Sequence, residues 1–122
     1  MTRLEMESVN CSLISIIGLS ENHPMACNAL INNQETSLIV IKINGRVHAY
    51  LNQCPHQGRR LDYAPGQFLY KNNVLICAAH GASFEMISGE CQQGPCRGES
   101  LQEFVCEVMP DQQSLRVCIE TN

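Results

Sequence analysis

"NQCPHQGRRL" (residues 52–61) and "CAAHGASFE" (residues 77–85) decide the reading of this chain. Each sets a cysteine and a histidine close together and follows them with a glycine: Cys54-Pro55-His56 with Gly58, and Cys77-Ala78-Ala79-His80 with Gly81. A thiolate and an imidazole at such spacing let one short loop supply two ligands to one metal site. Glycine allows the backbone to turn tightly and approach a ligand, and Pro55 stiffens the first loop. The chain has four histidines, and two of them stand in these segments.

Working outward, both segments follow short β-patterns. "SLIVIKI" (37–43) is nearly all apolar and β-branched, which predicts a strand buried on both faces. Asn44-Gly45 is the strongest two-residue hairpin signal, and "RVHAYLN" (46–52) returns from it toward Cys54. Alternation along that return puts Val47, Ala49 and Leu51 on one face and Arg46, His48 and Tyr50 on the other, polar one. "NNVLI" runs into Cys77, and "ASFEM" leads away from His80 to a turn at "SGE". "SLISII" (12–17) reads as a further strand, and "LQEFVCEVM" and "SLRVCIE" as a hairpin across "PDQQ". No stretch has a convincing helical period, although "NHPMACNAL" could hold one turn. The class is all-β, a small barrel or sandwich, and 122 residues suit a single domain over 1–122.

Composition narrows the function. The net charge of −4, with no basic cluster beyond Arg59-Arg60, argues against a nucleic-acid partner. The apolar runs "LISII" and "LIVIKI" are too short to span a bilayer, and "MTRLEMESVN" has no apolar signal-peptide core. The expectation is a soluble cytoplasmic protein. Eight cysteines would suggest a disulfide framework in a secreted chain; without an export signal, metal binding is the better default.

The two segments and their surroundings, "INGRVHAYLNQCPHQG" and "VLICAAHGASFEMISGE", resemble the Rieske iron–sulfur family. Its pattern is C-x-H, then C-x-x-H, and "QGPC" (93–96) stands where the family has a Gly-Pro loop over the cluster. The resemblance runs over about residues 36 to 119. It implies a fold of three small antiparallel sheets, with a cluster-binding part near 52–86 on a base. It also implies one [2Fe–2S] cluster, with Cys54 and Cys77 on the inner iron and His56 and His80 on the outer iron near the surface. Imidazoles in place of two thiolates make such a cluster less negative and raise its potential above that of an all-cysteine ferredoxin. The segment between His56 and Cys77 is 20 residues, about three longer than the family usually has, which an exposed turn tolerates at little entropic cost. High-potential members carry an extra disulfide at the positions of Arg59 and Ala79, and a Ser and a Tyr hydroxyl at those of Ala82 and Phe84. Their absence points to the low-potential, soluble ferredoxin group.

What the resemblance implies is a one-electron carrier, not an enzyme in its own right. It would take electrons from a reductase and pass them to a terminal redox enzyme such as an oxygenase. Two other readings stand beside it: the small Rieske-like subunit of an NAD(P)H nitrite reductase, and a zinc-stabilised Cys2His2 interaction module. His23 and His48 read as surface histidines, and Arg59-Arg60 as a solvated pair that could also help docking. Cys106 and Cys118 fall on opposite sides of their hairpin, which argues against a disulfide between them. Cys11, Cys27 and Cys106 are accounted for as small packed hydrophobes. Cys91 and Cys96 flank the expected cover loop and could pair with each other.

Overall fold

The computed structural model describes residues 11–55, 58–77, 81–94 and 96–119. Among these there is no helix. Ten strands follow in order: β1 (Cys11–Ser15), β2 (Met25–Ile31), β3 (Gln34–Ile43), β4 (Arg46–Leu51), β5 (Leu69–Lys71), β6 (Val74–Ile76), β7 (Ser83–Glu85), β8 (Cys91–Gln93), β9 (Glu103–Val108) and β10 (Ser114–Cys118). They form a six-stranded antiparallel sheet, β1-β10-β9-β4-β3-β2, and a four-stranded one, β5-β6-β7-β8. The all-β expectation holds. Two of the three expected sheets are joined into one because β9 pairs with β10 on one side and with β4 on the other.

The apolar run in β3 has a structural cause. Leu38 and Val40 face one core, with Ile14, Ile31, Phe104 and Leu115, while Ile39, Ile41 and Ile43 face a second, with Leu61, Leu75, Phe84 and Met86. The strand is a wall between two cores, so it has no polar face. Each fully buried aliphatic side chain of this kind contributes about 1.5–3 kcal/mol. β4 continues the wall: Ala49 lies in the first core and Tyr50 in the second. Tyr50 is therefore not on a polar face, as alternation alone suggested. It is fully buried, and its hydroxyl donates to the carbonyls of Met86 (2.7 Å) and Ile87 (2.8 Å). Those bonds tie the large sheet to the turn after β7.

Two further expectations are corrected. The segment thought able to hold a helical turn contains β2, paired residue by residue with β3 from Met25↔Val40 to Ile31↔Gln34. Its connection to β3 is a two-residue turn with Asn32 and Asn33 at φ 53° and 64°, the same kind of turn that Asn72 and Asn73 make between β5 and β6. Cys11 is not a free packed thiol. It stands opposite Cys118 in the β1–β10 register and forms a disulfide with it, tying the first strand to the last. Cys106 is free, as expected, and donates to the Val47 carbonyl.

The topology places the site. β4 and β9 are neighbours in the large sheet, paired at Ala49↔Phe104 and Tyr50↔Glu103. Everything between them in sequence, 52–102, leaves the sheet at one point and returns beside it. The Leu51 N–H donates to the Gln102 carbonyl (2.8 Å) across this neck. The small sheet and both cysteine–histidine segments belong to that excursion.

Candidate metal centre

Cys54 comes three residues after β4 and Cys77 directly after β6, so each segment does follow a strand. Both side chains are fully buried and belong to the same core. Their loops share one backbone scheme. The Cys54 N–H donates to the Arg59 carbonyl (2.7 Å), and the Gly58 N–H to the Cys54 carbonyl (2.8 Å). The Cys77 N–H donates to the Ala82 carbonyl (2.8 Å), and the Gly81 N–H to the Cys77 carbonyl (2.9 Å). Gly58 and Gly81 close these turns at φ 70° and 72°, a region where a side chain is strained. Each cysteine thus starts a five-residue turn pinned at both its N–H and its C=O. Gln53, Gly58, Arg59 and Gly81 around the two cysteines are exposed, so both loops reach from the core to the surface. An open depression lined by Gln53, Cys54, Pro55, Gly58, Ser100 and Gln102 lies beside the first loop.

A polar brace holds the first loop, and no motif announces it. Asn52 is buried; its carbonyl oxygen accepts the Leu61 N–H (2.9 Å), and its amide donates to Ser37 Oγ (3.2 Å) and Asp62 Oδ1 (3.3 Å). Asp62 also accepts a two-pronged bond from Arg60 (3.0 and 2.9 Å) and the Gly66 N–H (3.1 Å). The Arg60 guanidinium, with the Gly66 N–H and the Asn52 amide, holds the Asp62 carboxyl below the ordinary carboxylate range against the opposing effect of burial. Arg60 is therefore committed to the brace and is not simply a solvated charge.

The end of the second loop, at Ala82, meets Gly94, the residue just after β8. Gly94 lies so close to Ala82 that a Cβ on it would stand 2.8 Å from the Ala82 Cα, and its φ is 106°. Gly94 of "QGPC" therefore lies against Ala82, five residues after Cys77; Pro95 lies outside the described residues. Cys91 and Cys96 are buried, and the Cys96 thiol donates to the Cys91 sulfur at 2.9 Å. Burial, then the Cys91 sulfur and the neighbouring Cys54 sulfur, push the Cys96 thiol up to about 12. Ala82 and Phe84 are fully buried, so neither position offers a hydroxyl to the core around the cysteines.

His56 and His80 lie outside the described residues, as do Gln57, Ala78, Ala79 and Pro95. Among the described residues no group of three or more His, Cys, Asp or Glu could hold a metal ion. His23 is exposed, with Nδ1 2.6 Å from the Tyr70 hydroxyl, and His48 is partly buried, 3.7 Å from Glu103 and stacked on Tyr50. The donor set nevertheless suits a two-iron cluster: two buried thiols in one core, each at the mouth of a pinned turn whose sequence carries an imidazole two or three residues on. Among the described residues no helix is long and apolar enough to cross a membrane.

Comparison with known proteins agrees with this architecture. The family model described as the Rieske [2Fe-2S] domain matches residues 19–113. No curated protein matches the chain. Among solved structures, it is similar to the ferredoxin of carbazole 1,9a-dioxygenase from Nocardioides aromaticivorans IC177, with a TM-score of 0.65, 19% identity, and coverage of 89% of this chain and 96% of that one. A chain from a complex of reduced oxygenase and oxidized ferredoxin in carbazole 1,9a-dioxygenase aligns with a TM-score of 0.68, 18% identity, and coverage of 93% and 97%. The terminal oxygenase of carbazole 1,9a-dioxygenase from Novosphingobium sp. KA1 aligns with a TM-score of 0.71 and 14% identity, but over 93% of this chain and only 31% of that one.

Proposed function

Because the chain belongs to the Rieske [2Fe-2S] domain family, we propose that it is a one-electron carrier holding one [2Fe–2S] cluster on Cys54, His56, Cys77 and His80. The observation that carries this is the twinning of the two loops: Cys54 and Cys77 are buried in one core and pinned by the same pair of backbone hydrogen bonds. In this proposal the whole of 1–122 is a single Rieske-like domain with its cluster-binding part near 52–86, and it works in the cytoplasm. A bound cluster would supply the one-electron step, with two imidazole ligands raising its potential. The protein's share is to hold both thiols dry and fixed. Burial excludes water, and the pinned turns keep the donors in place whether or not an electron is present.

The partners are proposed to be a reductase as donor and a terminal oxygenase as acceptor. Two similarities support this: the chain spans nearly all of a ferredoxin, yet under a third of an oxygenase subunit. In this reading the domain hands its electron on to the oxygenase. The exposed flanks Gln53, Gly58, Arg59 and Gly81 are the part of the described surface beside the two cysteines, so docking belongs there. Arg59, exposed beside the first loop, is the charge proposed for steering, since Arg60 is engaged with Asp62.

Metal and sulfide analysis tests the proposal. Protein produced with ample iron and cluster-assembly machinery should hold about two irons and two sulfides per chain, and show the electron-spin signal of a mixed histidine–cysteine cluster when reduced. His80→Ala should abolish that signal. Stoichiometric zinc, or an unchanged signal in the His80 variant, refutes the assignment.

A further inference from the structure

Two of the buried thiols have no place among the four ligands. Cys91, at the start of β8, and Cys96, five residues on, have their sulfurs 2.9 Å apart. Their protons form an ordered chain: Cys96 donates to Cys91, and Cys91 donates to the Gln93 carbonyl (3.3 Å). Beyond Cys96 the chain folds back to Cys91. The Arg97 N–H donates to the Gly94 carbonyl (3.2 Å), the Glu99 N–H to the Cys96 carbonyl (2.9 Å), and the Cys91 N–H to the Glu99 carbonyl (2.8 Å). The backbone has thus already brought the two side chains together. A disulfide has a sulfur–sulfur distance of about 2.04 Å, so bonding asks for an approach of only ~0.9 Å.

We propose that Cys91 and Cys96 are a redox-active dithiol that closes reversibly to a disulfide by exchange with a small-molecule disulfide, a modification site distinct from the ligand thiols. The Cys91 thiolate attacks one sulfur of the small disulfide, breaks its S–S bond and releases one thiolate. The Cys96 thiolate then attacks the Cys91 sulfur of the mixed disulfide and releases the second thiolate. The two electrons and the two thiol protons end on the two released small thiols, so the protein is oxidised by two electrons and the reagent reduced by two. Both thiols are buried, at 2% and 1% exposure. The exchange therefore waits on opening of the loop, whose residues Gln92, Gln93 and Gly94 are exposed, and it is slow. Cys96 lies against Cys54, and Gly94, between the two thiols in sequence, lies against Ala82, so the oxidation state of the pair acts on the surroundings of the site.

The test is a redox titration of the full-length protein as isolated. Samples are equilibrated without oxygen in graded mixtures of oxidised and reduced glutathione. They are then denatured into an alkylating agent and mapped by mass spectrometry, with iron measured in each. The expected result is that Cys91 and Cys96 lose their alkyl groups together, carry no lasting glutathione, recover in reduced glutathione, and leave Cys54 and Cys77 alkylated throughout. Cys96→Ser should stop at a persistent Cys91–glutathione adduct. Full alkylation of both residues in oxidised glutathione overturns the proposal, as does a bridge from either of them to Cys54. The titration of the unsubstituted protein decides even where the variant does not fold. Missing iron with the disulfide formed would count against the proposed cluster and leave the dithiol standing.

Discussion

Asn52→Ala should be among the most damaging single changes away from the cysteines and histidines. The side chain is 4% exposed and makes three hydrogen bonds, two to the loop that begins at Cys54 and one to Ser37 on β3. Truncation leaves the Leu61 N–H without its acceptor at a buried position, which costs about 1–3 kcal/mol, and removes a donor to the charged Asp62, worth about 1.5–3 kcal/mol. Because the bonds share one network they do not simply add, and ~2–5 kcal/mol is the expected loss. For a domain of this size 1 kcal/mol moves the midpoint by about 4 °C, so thermal unfolding followed by circular dichroism should fall by ~8–20 °C. The pH dependence identifies the cause. The Asp62 carboxyl titrates below its unfolded value of ~3.9. Its stabilisation is therefore complete above that value and is lost as pH falls below it, through the folded pKa. Since part of the Asn52 contribution goes through the charged carboxylate, the gap between wild type and variant should narrow as pH falls below ~3.9. A midpoint lowered by less than ~2 °C, or a gap that does not narrow in acid, would show that the brace does not hold the loop.

Cys118→Ser opens the Cys11–Cys118 bridge, whose ends are 107 residues apart, and chain entropy puts the loss at about 3–5 kcal/mol; unfolding under non-reducing conditions measures it, and a reductant should bring the wild type down to the variant. Gly94→Ala should cost ~2–4 kcal/mol, because a Cβ would meet the Ala82 backbone and a φ of 106° strains any side chain. Gly66→Ala, equally left-handed but in open space, should cost only about 1 kcal/mol, so equal losses in the two variants would remove Ala82 from the account. If the cluster is held as proposed, Ala82→Ser with Phe84→Tyr should raise its potential by several tens of millivolts. The upper limit is ~130–250 mV for two new hydrogen bonds of about 1.5–3 kcal/mol each. Voltammetry showing no upward shift with the cluster intact would mean these positions do not face the cluster sulfurs.

What could be read from the sequence and what could not divide along a physical line. The strand over 37–43, the Asn44-Gly45 turn and the hairpin across 109–113 are local: pattern and turn chemistry act over a few residues. β2 was hidden because Met25, Ala26, Ala29 and Leu30 suit a helix intrinsically. They are strand because β3 offers a seven-residue partner and Asn32-Asn33 a turn to reach it. The face of Tyr50 was misread because its hydroxyl is satisfied by carbonyls 36 and 37 residues further on, which no local pattern reveals. The Cys11–Cys118 bridge depends on the register of the two terminal strands, a property of the assembled sheet. The two cysteine–histidine segments stand out in the sequence by residue type and spacing, and the fold buries both cysteines in one core. The Asn52–Asp62–Arg60 brace does not stand out, since amides and carboxylates at such spacing are ordinary on any loop.

The brace and the twinned turns also explain why the site stands on an excursion of the large sheet. A group that gains and loses one electron gains speed when its ligands do not move between the two states. The two cores flanking β3 make the base stiff, and the neck at Leu51 and Gln102 joins the excursion to it where β4 and β9 already pair. From there Tyr50 fastens the far turn, Asn52 fastens the first loop, and Gly94 sits against the second. The longer segment between His56 and Cys77 does not disturb this. Its early residues Leu61 and Asp62 are drawn into the core and the brace, Phe68 is buried, and Pro65, Gly66 and Gln67 are exposed in a stretch closed by the Gln67 N–H to the Ala64 carbonyl (2.8 Å).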